Sequence, residues 1–97
     1  MTEKEAIKEL RRRGLEIKPT IHIGKDGITE GLVQELIKQV KNNKLVKVRI
    51  LDSAQFNAKD IGKDLAERTG VILVDSRGSV LLYSDMRTYQ QLIDKKA

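Results

Sequence analysis

The chain has no cysteine and no tryptophan, one histidine, one proline, one phenylalanine and two tyrosines. Each shortage closes off a class of function. Without cysteine there is neither a disulfide nor a thiolate metal site, so packing alone must hold the fold. The single histidine, His22, has no carboxylate at ligand spacing, so neither a metal nor another cofactor is expected. So few aromatics leave little material for stacking bases. No apolar run approaches the roughly 18 residues of a membrane-spanning helix. The opening residues, Met1 to Glu5, contain no apolar signal-peptide core. No nucleophile–base pair stands out, and the expectation is a soluble, cytoplasmic protein that is not an enzyme.

What the chain does have is charge. Lysine and arginine number 19 against 14 acids, giving a net charge of +5 and an isoelectric point near 9.6. A small basic domain favours polyanions, and nucleic acid is the first candidate. Its 97 residues, 39% of them hydrophobic, suit one small domain spanning 1–97. The basic residues are also grouped. Between Lys41 and Arg49 there are four cations and no acid.

Periodicity divides the chain into alternating helices and strands. Residues 2–13 predict a helix, with Thr2 and Glu5 at capping-box spacing and Gly14 as its stop. Arg11, Arg12 and Arg13 crowd its end, where they complement the helix dipole or meet a phosphate backbone. Thr20 to Ile23 predicts a strand with Ile21 and Ile23 on one face and Thr20 and His22 on the other. A helix follows over 29–42, its buried stripe formed by Leu32, Val33, Leu36, Ile37 and Val40. Residues 45–50 are the clearest strand. Val46, Val48 and Ile50 share one face, and Leu45, Lys47 and Arg49 the other. Leu51 to Phe56 predicts an irregular link, with Phe56 plugging the core. Asn57 caps a third helix, which Gly70 ends. Val71 to Val74 and Val80 to Tyr83 predict a hairpin around a turn at 75–79. The tail from Asp85 to Ala97 reads as a last short helix or a frayed end. The order α-β-α-β-α-β-β implies an α/β fold, a two-layer sandwich. Its mixed four-stranded sheet would carry helices on one face and leave the other open.

One joint in this order carries the chemistry. Gly24-Lys25-Asp26-Gly27 links the first strand to the second helix. Two glycines let another molecule approach the backbone closely, and Lys25 adds a cation. The helix behind begins near Thr29 and presents unpaired amides and the positive end of its dipole. The amides of residues 25–29 are therefore expected to meet a phosphate. The stretch lacks the Gly-Lys-Ser/Thr ending of a nucleotide-binding P-loop. Asp26 must face away from the anion or cap the helix. His22 reads equally as an RNA contact and as an ordinary exposed strand residue. Lys44, Lys47 and Arg49 would extend the positive track.

Lys18-Pro19, then Ile21-His22-Ile23-Gly24-Lys25-Asp26-Gly27-Ile28-Thr29, then Asn43-Lys44-Leu45-Val46-Lys47-Val48 resembles the CRM domain (chloroplast RNA splicing and ribosome maturation), or YhbY-like family. The resemblance runs from about Thr2 to Tyr83. It takes in Leu65-Ala66-Glu67-Arg68-Thr69-Gly70 and Leu81-Leu82-Tyr83. Two positions depart from the family pattern: Ser84 where arginine is common, and Asn43-Lys44 where His-Glu is frequent. The resemblance implies a fold similar to the C-terminal domain of translation initiation factor three, with the fourth strand between the second and third. It implies a Gly-x-x-Gly loop similar to that of KH domains, which clamp nucleic-acid backbone. Single-domain prokaryotic members associate with precursors of the large ribosomal subunit, and multi-domain plant members assist organellar intron splicing. A stand-alone chain resembles the former. The expectation is therefore a monomer that binds structured ribosomal RNA through Gly24, Lys25, Asp26, Gly27, Thr29 and His22. Lys44, Lys47, Arg49, Arg11, Arg12 and Arg13 would extend that surface. The second reading is a protein-interaction module that docks on a ribosomal protein or another assembly factor.

Overall fold

Thr2 starts the first helix by a reciprocal cap. Its hydroxyl accepts from the Glu5 amide at 3.1 Å, and its own amide donates to the Glu5 carboxylate at 2.9 Å. From there the elements run α1 (Glu3–Arg13), a 3-10 turn (Gly14–Glu16), β1 (Pro19–Ile23), α2 (Glu30–Asn43) and β2 (Leu45–Ile50). They continue with α3 (Ala58–Thr69), β3 (Ile72–Arg77), β4 (Val80–Ser84) and α4 (Met86–Asp94). The computed structural model describes residues 1–52 and 56–94. The predicted link over 51–56 is described only at Leu51, Asp52 and Phe56, and of the predicted tail residues 95–97 lie outside the described residues. What is described of the tail is helical. Asp85 caps it, its carboxylate accepting from the Thr88 amide at 3.2 Å.

The strands form one mixed sheet in the order β1-β2-β4-β3. β1 and β2 are parallel, while β2–β4 and β4–β3 are antiparallel. The α/β class, the mixed four-stranded sheet and the insertion of the fourth strand between the second and third all hold. The placement of the helices needs correction, because they cover both faces of the sheet. Ile21, Ile23, Val46, Val48, Ile50, Leu81 and Tyr83 pack with Leu36 and Val40 of α2 and Ile61 and Leu65 of α3. On the other face Leu45, Val74 and Leu82 pack with Ala6 and Leu10 of α1 and Leu92 of α4. The physical reason is alternation. Leu82 faces opposite to Leu81, and Leu45 opposite to Val46, so apolar surface on the second face also has to be buried. Each fully buried leucine contributes about 1.5–3 kcal/mol, which draws the narrow α1 stripe onto the sheet.

Gly14 shows how closely α1 approaches. A Cβ there would lie 2.6 Å from a methyl of Leu82. Its φ is −77°, so glycine serves close approach at this position and not a left-handed helix end. On the opposite face Gly62 lets α3 settle over Leu81 and Leu73, 3.1 and 3.2 Å from where a Cβ would stand. The Tyr83 hydroxyl donates to the Gly62 carbonyl at 2.9 Å in that buried layer.

Both edge strands are irregular. In β1 the register steps from Pro19↔Lys47 to Ile21↔Val48, which leaves Thr20 extra. Thr20 turns its hydroxyl to the Gln39 side chain on α2 and so does not share the His22 face. In β3 the register steps from Leu73↔Tyr83 to Asp75↔Leu82, a bulge at Val74. β3 also runs on to Arg77, where the sequence suggested a turn from residue 75. The hairpin is the two-residue connection Gly78-Ser79, with Gly78 at φ +54°.

Candidate nucleic-acid interface

The glycine joint is a β-turn. The Gly27 amide donates to the Gly24 carbonyl at 3.0 Å, so of the amides expected to receive a phosphate, that of Gly27 is spent. Those of Lys25, Asp26 and Ile28 have no partner among the described residues. Gly27 takes φ +67°, and a Cβ there would stand 2.9 Å from the Phe56 ring. Conformation and packing both demand glycine at this point. Phe56 itself is a correction. It does not plug the core but lies over Gly27, 46% exposed, and the core is filled without it by residues of the sheet, α2 and α3. Gly24 differs from Gly27. Its φ is not left-handed, and a methyl added there would meet only Leu51 Cδ1, at 4.0 Å. Among the described residues nothing requires glycine at 24, which leaves its bare backbone open to a ligand.

The helix cap settles the question of Asp26. Thr29 is the N-cap of α2, its hydroxyl accepting from the Leu32 amide at 3.1 Å. Asp26 faces away instead. It lines a groove with Phe56, Asp60, Asp64 and Arg68 of the α3 side, in which acids outnumber the one cation and Arg68 pairs with Asp64 at 3.0 Å. Lys25 is exposed.

The sheet side of the joint is basic. His22 pairs in register with Arg49, Arg49 with Val80, and Val80 with Arg77. Residues paired across a sheet share a face, so His22, Arg49 and Arg77 form one row on the face that α1 leaves uncovered at this end. In the next row Lys47 pairs with Leu82, and Leu82 with Asp75. His22, Arg49 and Arg77 are exposed and Lys47 is half-buried. Lys47 and Arg49 have no ion-pair partner among the described residues.

The three arginines of α1 part company. Arg11 reaches this face and approaches Asp75 at 3.6 Å. Arg12 and Arg13 are held by Glu9, at 2.8 and 2.7 Å. The Arg12 hydrogen bonds, with Arg13 next, pull the Glu9 carboxyl down to about 2. Lys44 stands apart as well. It ends α2 at φ +71°, donates from Nζ to the Lys41 carbonyl at 2.9 Å, and precedes β2, whose far end meets the loop. Six residues of strand at about 3.3 Å each separate the two ends. The fold thus gathers Gly24, Lys25, Gly27, Thr29, His22, Lys47, Arg49 and Arg11 toward one end. It turns Asp26 to the other side of the joint and leaves Arg12, Arg13 and Lys44 outside. Arg77 and Asp75 were missed from the sequence because they read as turn residues.

A bare-backbone strand–helix joint beside a basic sheet face is the build of a polyanion-binding α/β module. No group of side chains arranged to hold a metal occurs among the described residues. Residues 1–83 match the CRS1/YhbY (CRM) domain model, and the chain belongs to that family, whose members are RNA-binding domains and not enzymes. The "Probable RNA-binding protein YqeI" of Bacillus subtilis is 21% identical over 84 residues, covering 86% of this chain and 88% of that protein. The "Probable RNA-binding protein PA4753" of Pseudomonas aeruginosa is 26% identical, covering 80% and 75%. The chloroplast CRM-domain factor CFM2 of Arabidopsis thaliana is 32% identical over 78 residues, and this chain spans only 8% of its length. The solution structure of the Staphylococcus aureus hypothetical protein SAV1595 superposes with a TM-score of 0.72 at 28% identity, covering 87% of this chain and 88% of that one.

Proposed function

We propose that this chain binds structured RNA through the Gly24–Gly27 joint and the basic end of the sheet, and that its RNA is ribosomal, met on a precursor of the large subunit in the cytoplasm. The observation that carries the reading is Gly24: a glycine that no contact among the described residues requires, beside Lys25 and the His22–Arg49 row. The bacterial relatives named for RNA binding support it. Contacts of this kind grip phosphates and carry little sequence information, so shape guides the choice of RNA. The chain acts as a monomer in this reading. Crosslinking to RNA in cells tests the ribosomal part, and reads scattered over messenger RNA without ribosomal enrichment would sink it. A second reading, docking on a ribosomal protein or another assembly factor, has its own support. The exposed Phe56 sits in a groove with Asp26, Asp60 and the Asp64–Arg68 pair, whose net negative charge suits a basic segment. It predicts partner capture that survives charge reversal at Lys47 and Arg49.

A further inference from the structure

The cleft between the end of α1 and the sheet has a volume of about 230 Å³, with Arg11, Gly14, Leu15, Lys47, Asp75 and Arg77 around it. Its cations outnumber its acid three to one. We propose that this cleft is a second phosphate subsite, in which Asp75 gathers Arg11 and Arg77 into a two-guanidinium tweezer for an RNA backbone phosphate. The proposal rests on the RNA-binding reading above and adds to it a site separate from the glycine joint.

Three observations carry it. The bulge at Val74 comes first. Without the extra residue, strict alternation would send Asp75 and Arg77 to the α3 face; with it, both fall opposite Leu82 and Val80 on the α1 face. Second, Asp75 is fixed from behind. Its Oδ1 accepts from the Ser76 amide at 3.0 Å, and its Oδ2 stands 3.6 Å from Arg11 Nε and 3.2 Å from Arg77 Nε. Third, neither arginine side chain makes a hydrogen bond among the described residues, its approach to Asp75 through Nε being an ion pair only. Arg12, by contrast, spends Nε and a terminal nitrogen on Glu9. Free planar forks are what a phosphate takes in bidentate fashion. Leu82 and Val80 floor the cleft, and apolar walls strengthen a charge contact. The Arg77 position is three strand spacings from His22, roughly 14 Å. One phosphate cannot bridge that distance, so the cleft and the joint hold different points on the RNA.

The test is fluorescence anisotropy of a fluorescein-labelled, base-paired RNA hairpin over a series of KCl concentrations. Far-UV dichroism melts confirm that each variant folds; the Arg77 side chain is 70% exposed, so its replacement leaves the core alone. Arg77→Gln is expected to weaken binding several-fold and to reduce the log-affinity against log-salt slope by about 0.7–0.9. Arg77→Lys, which keeps the charge but not the fork, should keep the salt slope yet bind more weakly than wild type. Asp75→Asn should weaken binding although it raises the net charge by one. Wild-type affinity in either Arg77 variant, or tighter binding by Asp75→Asn, would overturn the tweezer. If Lys25→Asp still weakens binding in that case, the RNA-binding reading stands without the subsite. If the wild-type protein fails to hold the hairpin at low salt, both fall.

Discussion

Glu9 couples a single carboxylate to two guanidinium groups, and the coupling has a pH signature. The folded carboxyl titrates at about 2, below the roughly 4.3 of an unfolded chain. A depressed folded value means stability that is present above the unfolded value and is lost as pH falls from about 4.3 toward 2. The group is at the surface, so added salt should shrink the effect. NMR titration of the Glu9 carboxyl should place its midpoint near 2, and Glu9→Gln should flatten the acid limb of stability in that window. A midpoint near 4.3, the unfolded value, would mean that the pairs do not persist in solution. Tyr83 makes the complementary case in the core. Burial raises its hydroxyl well above the usual tyrosine range, so it stays protonated and keeps donating to Gly62. Tyr83→Phe removes that second donor while the Gly62 carbonyl keeps its helical one, and should cost about 0.5–1.5 kcal/mol in urea unfolding. Ser84 closes the same strand. It is fully buried, its hydroxyl donating to the Asp85 carbonyl at 3.0 Å. Where the family commonly has arginine, this chain therefore turns a short polar side chain back on its own backbone.

At the scale of elements, the two glycines of the β1–α2 joint divide the labour. Gly27→Ala must hold φ +67° and displace Phe56, and should cost about 1–2 kcal/mol. Gly24→Ala meets no such obstacle and should leave stability within about 0.5 kcal/mol of wild type while weakening RNA binding. Paired denaturation and anisotropy measurements separate the two, and a destabilised Gly24→Ala would contradict the open space beside it. Both glycines were visible in the sequence, but their different duties were not. Spacing shows that a turn exists; φ and the Phe56 ring show which residue the turn depends on. The helices and the two inner strands were equally legible, since Leu36 and Val40, or Val46 and Val48, repeat at the period of their element. The second helical layer was not. α1 offers only Ala6, Ile7 and Leu10 as apolar surface, a stripe that does not say which face of the sheet it meets. The edge strands hid more. One extra residue at Thr20 or Val74 reverses the direction of every side chain beyond it, and no local pattern marks where the reversal occurs.

Taken as a whole molecule, the fold sorts a modest excess of positive charge into a gradient across one joint. Arg49, Lys47, Arg11 and Arg77 lie on the sheet side with one acid, Asp75, and Asp26, Asp60 and Asp64 on the α3 side with one cation, Arg68. Lys47→Glu with Arg49→Glu should lower RNA affinity and reduce the salt slope by roughly 2, with little change in thermal midpoint. Reversal of Asp60 and Asp64 should not weaken RNA binding; if it did, the assignment of faces would be wrong. The two-sided burial of β4 has a further consequence. Leu81 and Tyr83 close one core and Leu82 the other, so this strand cannot open without breaching both. Its amides should exchange with deuterium last, at the rate of global unfolding. The bulged outer strands β1 and β3 should exchange earlier, through local openings. His22 and Arg77 ride on those outer strands, so in the reading proposed above RNA would be met by compliant margins hung on a rigid spine. Adjustment to an uneven RNA surface would then come from small movements at the rims, leaving the centre of the sheet undisturbed.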